Sequence, residues 1–217
     1  MKNWLKTWVI GLGLLLVSIA QAQPQQDPGA FIDQLTHTLW KKLEANREIF
    51  KQDHRALKAF AEKEVLPHVA VAKMAKYVMG RHWRSATPQQ QQRFVKAFQD
   101  MLLRSYANTL LHLQIQAMQV EKVVPGQRGR YSVEQKVRRA DGTDAKVVYR
   151  VYWDKDANAW KIYDVVAENI SLLLNYRKVF NSELQKMGID EVIEEMEIKN
   201  RAFLEQSDAQ SAQDHGQ

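Results

Sequence analysis

Asp164 is the residue of this chain best placed for acid–base chemistry, because it interrupts the apolar run Trp160-Lys161-Ile162-Tyr163-Asp164-Val165-Val166. That run reads as a strand, where alternate residues share a face, so Trp160, Ile162, Asp164 and Val166 are expected to point the same way. A lone buried charge is very costly, and a carboxylate among those neighbours must therefore be paired or hydrogen-bonded. Arg150 on the preceding strand and Arg177 on the following helix are the candidate partners, and a strand-to-helix salt bridge is the expected arrangement. The alternative is a carboxylate open to a pocket beside Tyr149 or Tyr163, acting as a general base with a phenol as hydrogen-bond donor.

Other chemistry finds little support in the residue types. There is no G-x-S-x-G elbow, no H-E-x-x-H pair and no glycine-rich phosphate loop. The six histidines, His37, His54, His68, His82, His112 and His215, show no paired ligand spacing, so no metal is expected. The chain has no cysteine, which removes thiol catalysis, disulfides and thiolate metal sites together. Its formal net charge is +6, carried by dispersed lysines and arginines with no nucleic-acid-reading motif. An anionic lipid surface or an acidic partner protein suits that balance better than nucleic acid.

The elements that must position these residues can be read from periodicity. Residues 1–22 have the three parts of an export signal: Lys2 and Lys6, an apolar stretch from Trp8 to Ile19 too short to span a membrane, and the small-x-small site Ala20-Gln21-Ala22. Cleavage after Ala22 leaves 195 of the 217 residues. Residues 23–204 are expected to form one domain and residues 205–217 a polar, disordered tail.

Phe31, Ile32, Leu35, Leu39 and Leu43 recur at helical steps and predict a helix over 31–46. Two more are expected at Asp53 to Leu66, ended by Pro67, and at Val69 to Met79, ended by Gly80. Thr87-Pro88 with Gln90 is a capping-box start for a fourth helix. Its apolar face, Phe94, Val95, Phe98, Met101, Leu102, Tyr106, Leu110 and Leu113, is widened by Leu103, Ala107 and Leu111. Such a helix is more than half surrounded by protein or by cargo.

The period then changes to two. Four strands are expected, at about 116–124, 130–139, 145–153 and 160–168, joined by turns short enough to force antiparallel pairing. A three-residue loop with Gly142 in the left-handed region sets Val137 opposite Ala145 and Val133 opposite Tyr149, whereas a two-residue loop would put the apolar rows on opposite sides. Helices from Ser171 to Met187 and from Asp190 to about Leu204 complete an α+β layer arrangement.

Four stretches together resemble the MlaC family, also called the toluene-tolerance auxiliary family, of periplasmic phospholipid-binding proteins. They are VMGRHWRSATPQQQQRFVKAFQDMLLRSYANTL from Val78, YRVYW from Tyr149, WKIYDVVAENISLLLNYRKVF from Trp160 and GIDEVIEEM from Gly188. Family members usually carry an acidic-glycine pair and a valine where this chain has Glu168, Asn169 and Ile170.

The resemblance implies a fold similar to nuclear transport factor 2, with a curved, mostly antiparallel sheet of about four strands and helices packed around an apolar cavity. It implies a periplasmic carrier that maintains outer-membrane lipid asymmetry, with phospholipid as cargo and no cofactor. Its partners would be the MlaA lipoprotein with its porin and the MlaD component of an inner-membrane ABC transporter complex. Periodicity then nominates the lining: Met101, Leu102, Tyr106, Leu110, Tyr149, Val151, Leu173, Tyr176 and Phe180. Two chains of a phospholipid need a pocket of about 1,000 Å³ or more, the upper end of ordinary ligand sites. The alternative within the same fold is an isomerase- or dehydratase-type enzyme using Asp164 with Tyr149 or Tyr163.

Overall fold

The first helix forms where the sequence supplies a cap, a proline and an apolar stripe in succession. Asp27 Oδ1 accepts hydrogen bonds from the backbone N–H groups of Gly29 and Ala30, at 2.8 and 3.0 Å, and α1 then runs Pro28–Ala45. A computed structural model describes residues 27–214; the expected export signal, residues 1–22, lies outside them. Gly29 is required by close approach, since a Cβ there would lie 2.8 Å from Val123 Cγ2 on the sheet below.

Short pieces follow: α2 Arg47–Gln52, not anticipated from the sequence, and α3 His54–Phe60, capped by Asp53. The helix expected to continue to Leu66 instead widens into a π turn at Ala61–Val65 and tightens into a 3₁₀ turn at Leu66–His68 around Pro67. Next come α4 Val71–Met79, the four-residue α5 His82–Ser85 and the long α6 Pro88–His112. The capping box forms as the sequence predicts: Gln90 N–H donates to Thr87 Oγ1 at 3.2 Å and Thr87 N–H to Gln90 Oε1 at 2.9 Å.

The sheet has five antiparallel strands in sequence order, one more than expected: β1 Ile115–Pro125, β2 Arg130–Arg139, β3 Asp144–Asp154, β4 Ala159–Ala167 and the two-residue β5 Ile170–Ser171. Val137 stands opposite Ala145 and Val133 opposite Tyr149, with Gly142 at φ 83°, so turn chemistry fixes the β2–β3 register as anticipated. The β4–β5 turn is a tight two-residue one. Glu168 and Asn169 both take positive φ there, 51° and 66°. α7 Leu172–Lys186 and α8 Ile189–Asp214 close the chain. The last helix passes the expected end at Leu204, because a polar stretch of Glu, Gln, Ala and Ser can still be helical.

Three apolar clusters hold these layers. α1 covers one sheet face, where Phe31, Ile32 and Leu35 meet Val133, Val151, Trp160 and Ile162. A second cluster joins α4, α6, α7 and α8 through Met74, Val78, Phe94, Phe98, Phe180 and Ile193. A third packs Phe50 and Leu57 against Ala107 and Leu111 at the end of α6. The widened apolar surface of α6 thus has a plain cause: the helix serves two clusters on different sides of its axis.

Candidate functional site

A β-bulge decides where Asp164 points. Arg150 pairs with Asp164 and the next residue, Val151, pairs with Ile162, so Tyr163 is an extra residue on β4. Trp160 and Ile162 therefore stay on the α1 face, whereas Asp164 turns to the opposite face with Arg150. The expected common face of Trp160, Ile162, Asp164 and Val166 is corrected accordingly.

On that second face the carboxylate, 1 % exposed, is saturated with donors. Arg150 Nη1 lies 3.0 Å from Oδ2, Ser171 Oγ donates to Oδ2 at 2.6 Å, and the backbone N–H of Leu173 donates to Oδ1 at 2.9 Å. Ser171 Oγ in turn accepts from Leu174 N–H at 3.1 Å. Asp164 and Ser171 are thus joint caps of α7, with the negative charge at the positive end of the helix dipole. Arg177, the other expected partner, is one turn further along and faces α4. It donates to the Tyr77 carbonyl at 3.2 Å and lies 4.3 Å from the centre of the Tyr77 ring.

The base-and-phenol arrangement is not assembled around this carboxylate. Tyr149 pairs with Val133 on the α1 face, and burial pushes its phenol up to about 12. Tyr163 does share the neighbourhood of Asp164, but its ring underlies the Arg130 guanidinium at 5.4 Å.

Over the Arg150 face lies a cleft of about 370 Å³. Its walls are Lys73, Met74 and Tyr77 of α4, Arg130 and Ser132 of β2, Arg150 and Tyr152 of β3, Tyr163 and Asp164 of β4, and Leu173 and Leu174 of α7. Lys73 Nζ sits 3.3 Å from the centre of the Tyr152 ring. The Tyr152 hydroxyl donates to Asp154 Oδ2 at 3.0 Å, and burial together with that bond raises its pKa to about 12. Burial, and then the charge of Arg130, lower the pKa of Lys73.

A second hollow of about 150 Å³ lies between α6, α7 and α8, lined by Met101, Tyr176, Phe180, Val192 and Met196 with Arg104, Glu183, Glu195 and Lys199 at its polar side. The nine residues nominated as lining are therefore divided. Leu173 borders the cleft, and Met101, Tyr176 and Phe180 border the hollow. Leu102 packs on the same helical cluster, and Tyr106 and Leu110 stay 36 % and 42 % exposed on α6. Tyr149 and Val151 belong to the core under α1, on the other side of the sheet. Neither space reaches the expected 1,000 Å³, because Phe94, Phe98, Tyr176 and Phe180 interlock edge-to-face where a single large cavity was anticipated.

Sequence reasoning missed the cleft because Arg130, Ser132, Glu134, Lys136 and Arg138 alternate like a solvated strand face. The available signal was Tyr152, an aromatic residue two places from Arg150 on that same polar row.

Comparison with known proteins agrees with this architecture. The chain is 26 % identical over 200 residues to the intermembrane phospholipid transport system binding protein MlaC of Haemophilus influenzae, covering 91 % of this chain and 92 % of the relative. It is 28 % identical over 166 residues to a toluene tolerance protein of Pseudomonas putida, covering 76 % of each. Its fold matches a phospholipid-binding protein of Ralstonia solanacearum, solved in complex with a phospholipid, at a TM-score of 0.74 and 20 % identity over 82 % of this chain and 99 % of that one. The family model described as MlaC protein aligns with residues 33–198, taking in every helix and strand that frames the cleft, and the chain belongs to that family.

Proposed function

We propose that this chain is an exported phospholipid carrier of the periplasm, its signal removed after Ala22. It moves lipids between the MlaA lipoprotein with its porin at the outer membrane and the MlaD component of the inner-membrane ABC transporter complex, and so sustains outer-membrane lipid asymmetry. The phospholipid is cargo, and the protein performs no reaction on it.

The observation that carries this reading is the amphiphilic character of the cleft. Met74, Leu173 and Leu174 make an apolar side directly beside Lys73, Arg130 and Arg150. An amphiphile with a polar anionic end and greasy chains meets both. Leu173 borders the helical cluster and leads toward the hollow bounded by Met101, Tyr176 and Phe180, the path proposed for the acyl chains; Leu102, Tyr106 and Leu110 line its α6 side. The names of the relatives support the reading, as does the phospholipid held by the Ralstonia protein.

The energetic need for such a carrier is large. A diacyl lipid exposes about 30 methylene-sized units to water at roughly 0.8 kcal/mol each, so unassisted transfer is uphill by about 20 kcal/mol. The test is native mass spectrometry of the protein purified from the periplasm, followed by organic extraction. Phospholipid is expected in close to stoichiometric amount. A lipid-free protein that also takes up no phospholipid from vesicles would overturn the carrier reading.

A further inference from the structure

The cleft contains more positive charge than its own carboxylate can answer. Its lining includes Lys73, Arg130 and Arg150 against the single acid Asp164. Asp164 is already committed to Arg150, Ser171 and Leu173. Among the described residues no ion pair is found for Lys73 or Arg130. The nearby Asp154 is itself occupied by Tyr152 and by the backbone N–H groups of Asp156 and Ala157. Each free cation rests on an aromatic face, Lys73 on Tyr152 and Arg130 on Tyr163, which holds it in place without cancelling its charge. Two like charges kept together in a partly dry cleft repel, and an anion between them removes that repulsion.

From this geometry we propose that Lys73 and Arg130 form a phosphate-ester site, so that the carrier grips the phosphate of the lipid head instead of leaving it in water. The proposal rests on the carrier reading above. Arg150 acts as a positioning residue, clamped by Asp164 so that the cationic wall keeps its shape. The apolar neighbours Tyr77 and Leu174, 38 % and 51 % exposed, give the first carbons of the chains a place beside the phosphate. A free phosphate ester offers the same anion without the chains. The adjoining apolar side argues for the lipid as its source.

The test compares uptake from vesicles of a phospholipid and of a diacylglycerol with the same chains, which lacks the phosphate. The full-length mature protein is expected to prefer the phospholipid by about ten-fold, the size of one or two charge-assisted hydrogen bonds. Lys73→Gln with Arg130→Gln should abolish the preference by bringing phospholipid uptake down to the level of diacylglycerol. Arg130→Lys should keep most of it, and Lys136→Gln, which removes one positive charge outside the cleft, should keep all of it. The preference should also shrink with added salt, as screening weakens attraction at this partly exposed site. If the native protein takes up both lipids equally, the head-group site is wrong and the carrier reading stands. If it takes up neither, the carrier reading itself fails. If the double variant loses only binding of inorganic phosphate, followed by calorimetry, and keeps its lipid preference, the cations serve free phosphate and the head-group assignment is overturned.

Discussion

At the scale of single residues, Asp164 organises the junction between sheet and helix by receiving donors from three different parts of the chain. Its value lies in what its removal leaves behind: a guanidinium, a hydroxyl and a backbone N–H without an acceptor. Breaking a fully buried ion pair by deleting one partner costs about 3–5 kcal/mol, but Arg150 is 38 % exposed and can turn to water, so Asp164→Ala is expected to cost about 2–3 kcal/mol. Asp164→Asn retains an acceptor for Leu173 N–H and should cost less. Chemical denaturation of both variants measures the two losses. Equal stability of Asp164→Ala and the parent chain would show that the carboxylate does not brace α7. The sequence announced this residue through the oddity of an acid in an apolar run, and Arg150 as its partner followed from adjacency. Ser171 and Leu173 did not, because a cap shared between a strand side chain and a helix start depends on tertiary approach.

At the scale of elements, local chemistry was legible and one-residue irregularities were not. The β2–β3 register could be derived because alternation and Gly142 both constrain it, and the start of α6 because Thr87, Pro88 and Gln90 carry the cap in consecutive sequence. The bulge at Tyr163 leaves the pattern Trp160, Ile162, Asp164, Val166 unbroken in the sequence, so nothing there signals that Asp164 has changed face. A similar irregularity is the β4–β5 turn, where Glu168 holds φ at 51° although a side chain strains that region. Glu168→Gly is expected to stabilise the protein by about 1 kcal/mol, since glycine takes positive φ without a steric penalty. Its contact with Arg139 at 3.4 Å is exposed and contributes little. Calorimetry should show a melting temperature raised by a few degrees, as such a gain implies for a domain of this size. A lowered one would mean that the turn draws more from that contact than from its backbone freedom.

At the scale of the whole molecule, the question is how two spaces of about 370 and 150 Å³ would serve the proposed cargo of two long chains. The family resemblance implied one apolar cavity, which agreed with the apolar face of α6, widened toward its end. The three clusters show instead that its extra surface is spent on packing against α2 and α3. Room for the proposed chains would then come from parting helices, and α6 against α7 is the seam that borders the hollow. Tyr106 on α6 lies near Tyr176 on α7, and burial raises the pKa of the Tyr106 phenol. Phe98 meets Tyr176 and Phe180 edge-to-face across the same seam, so opening it breaks apolar contacts that the entering chains would have to replace. The absence of native cysteine makes the motion measurable, since labels attach only where a cysteine is introduced. Spin labels at Leu110→Cys on α6 and Val179→Cys on α7, both at exposed positions, should report a longer and broader distance after loading with phospholipid. Tyr176→Leu, which removes the edge-to-face contact with Phe98, should shift the unloaded protein part of the way toward that distance and speed lipid exchange between vesicles. An unchanged distance in a protein shown to be carrying lipid would place the chains elsewhere and return α6 to a purely structural role.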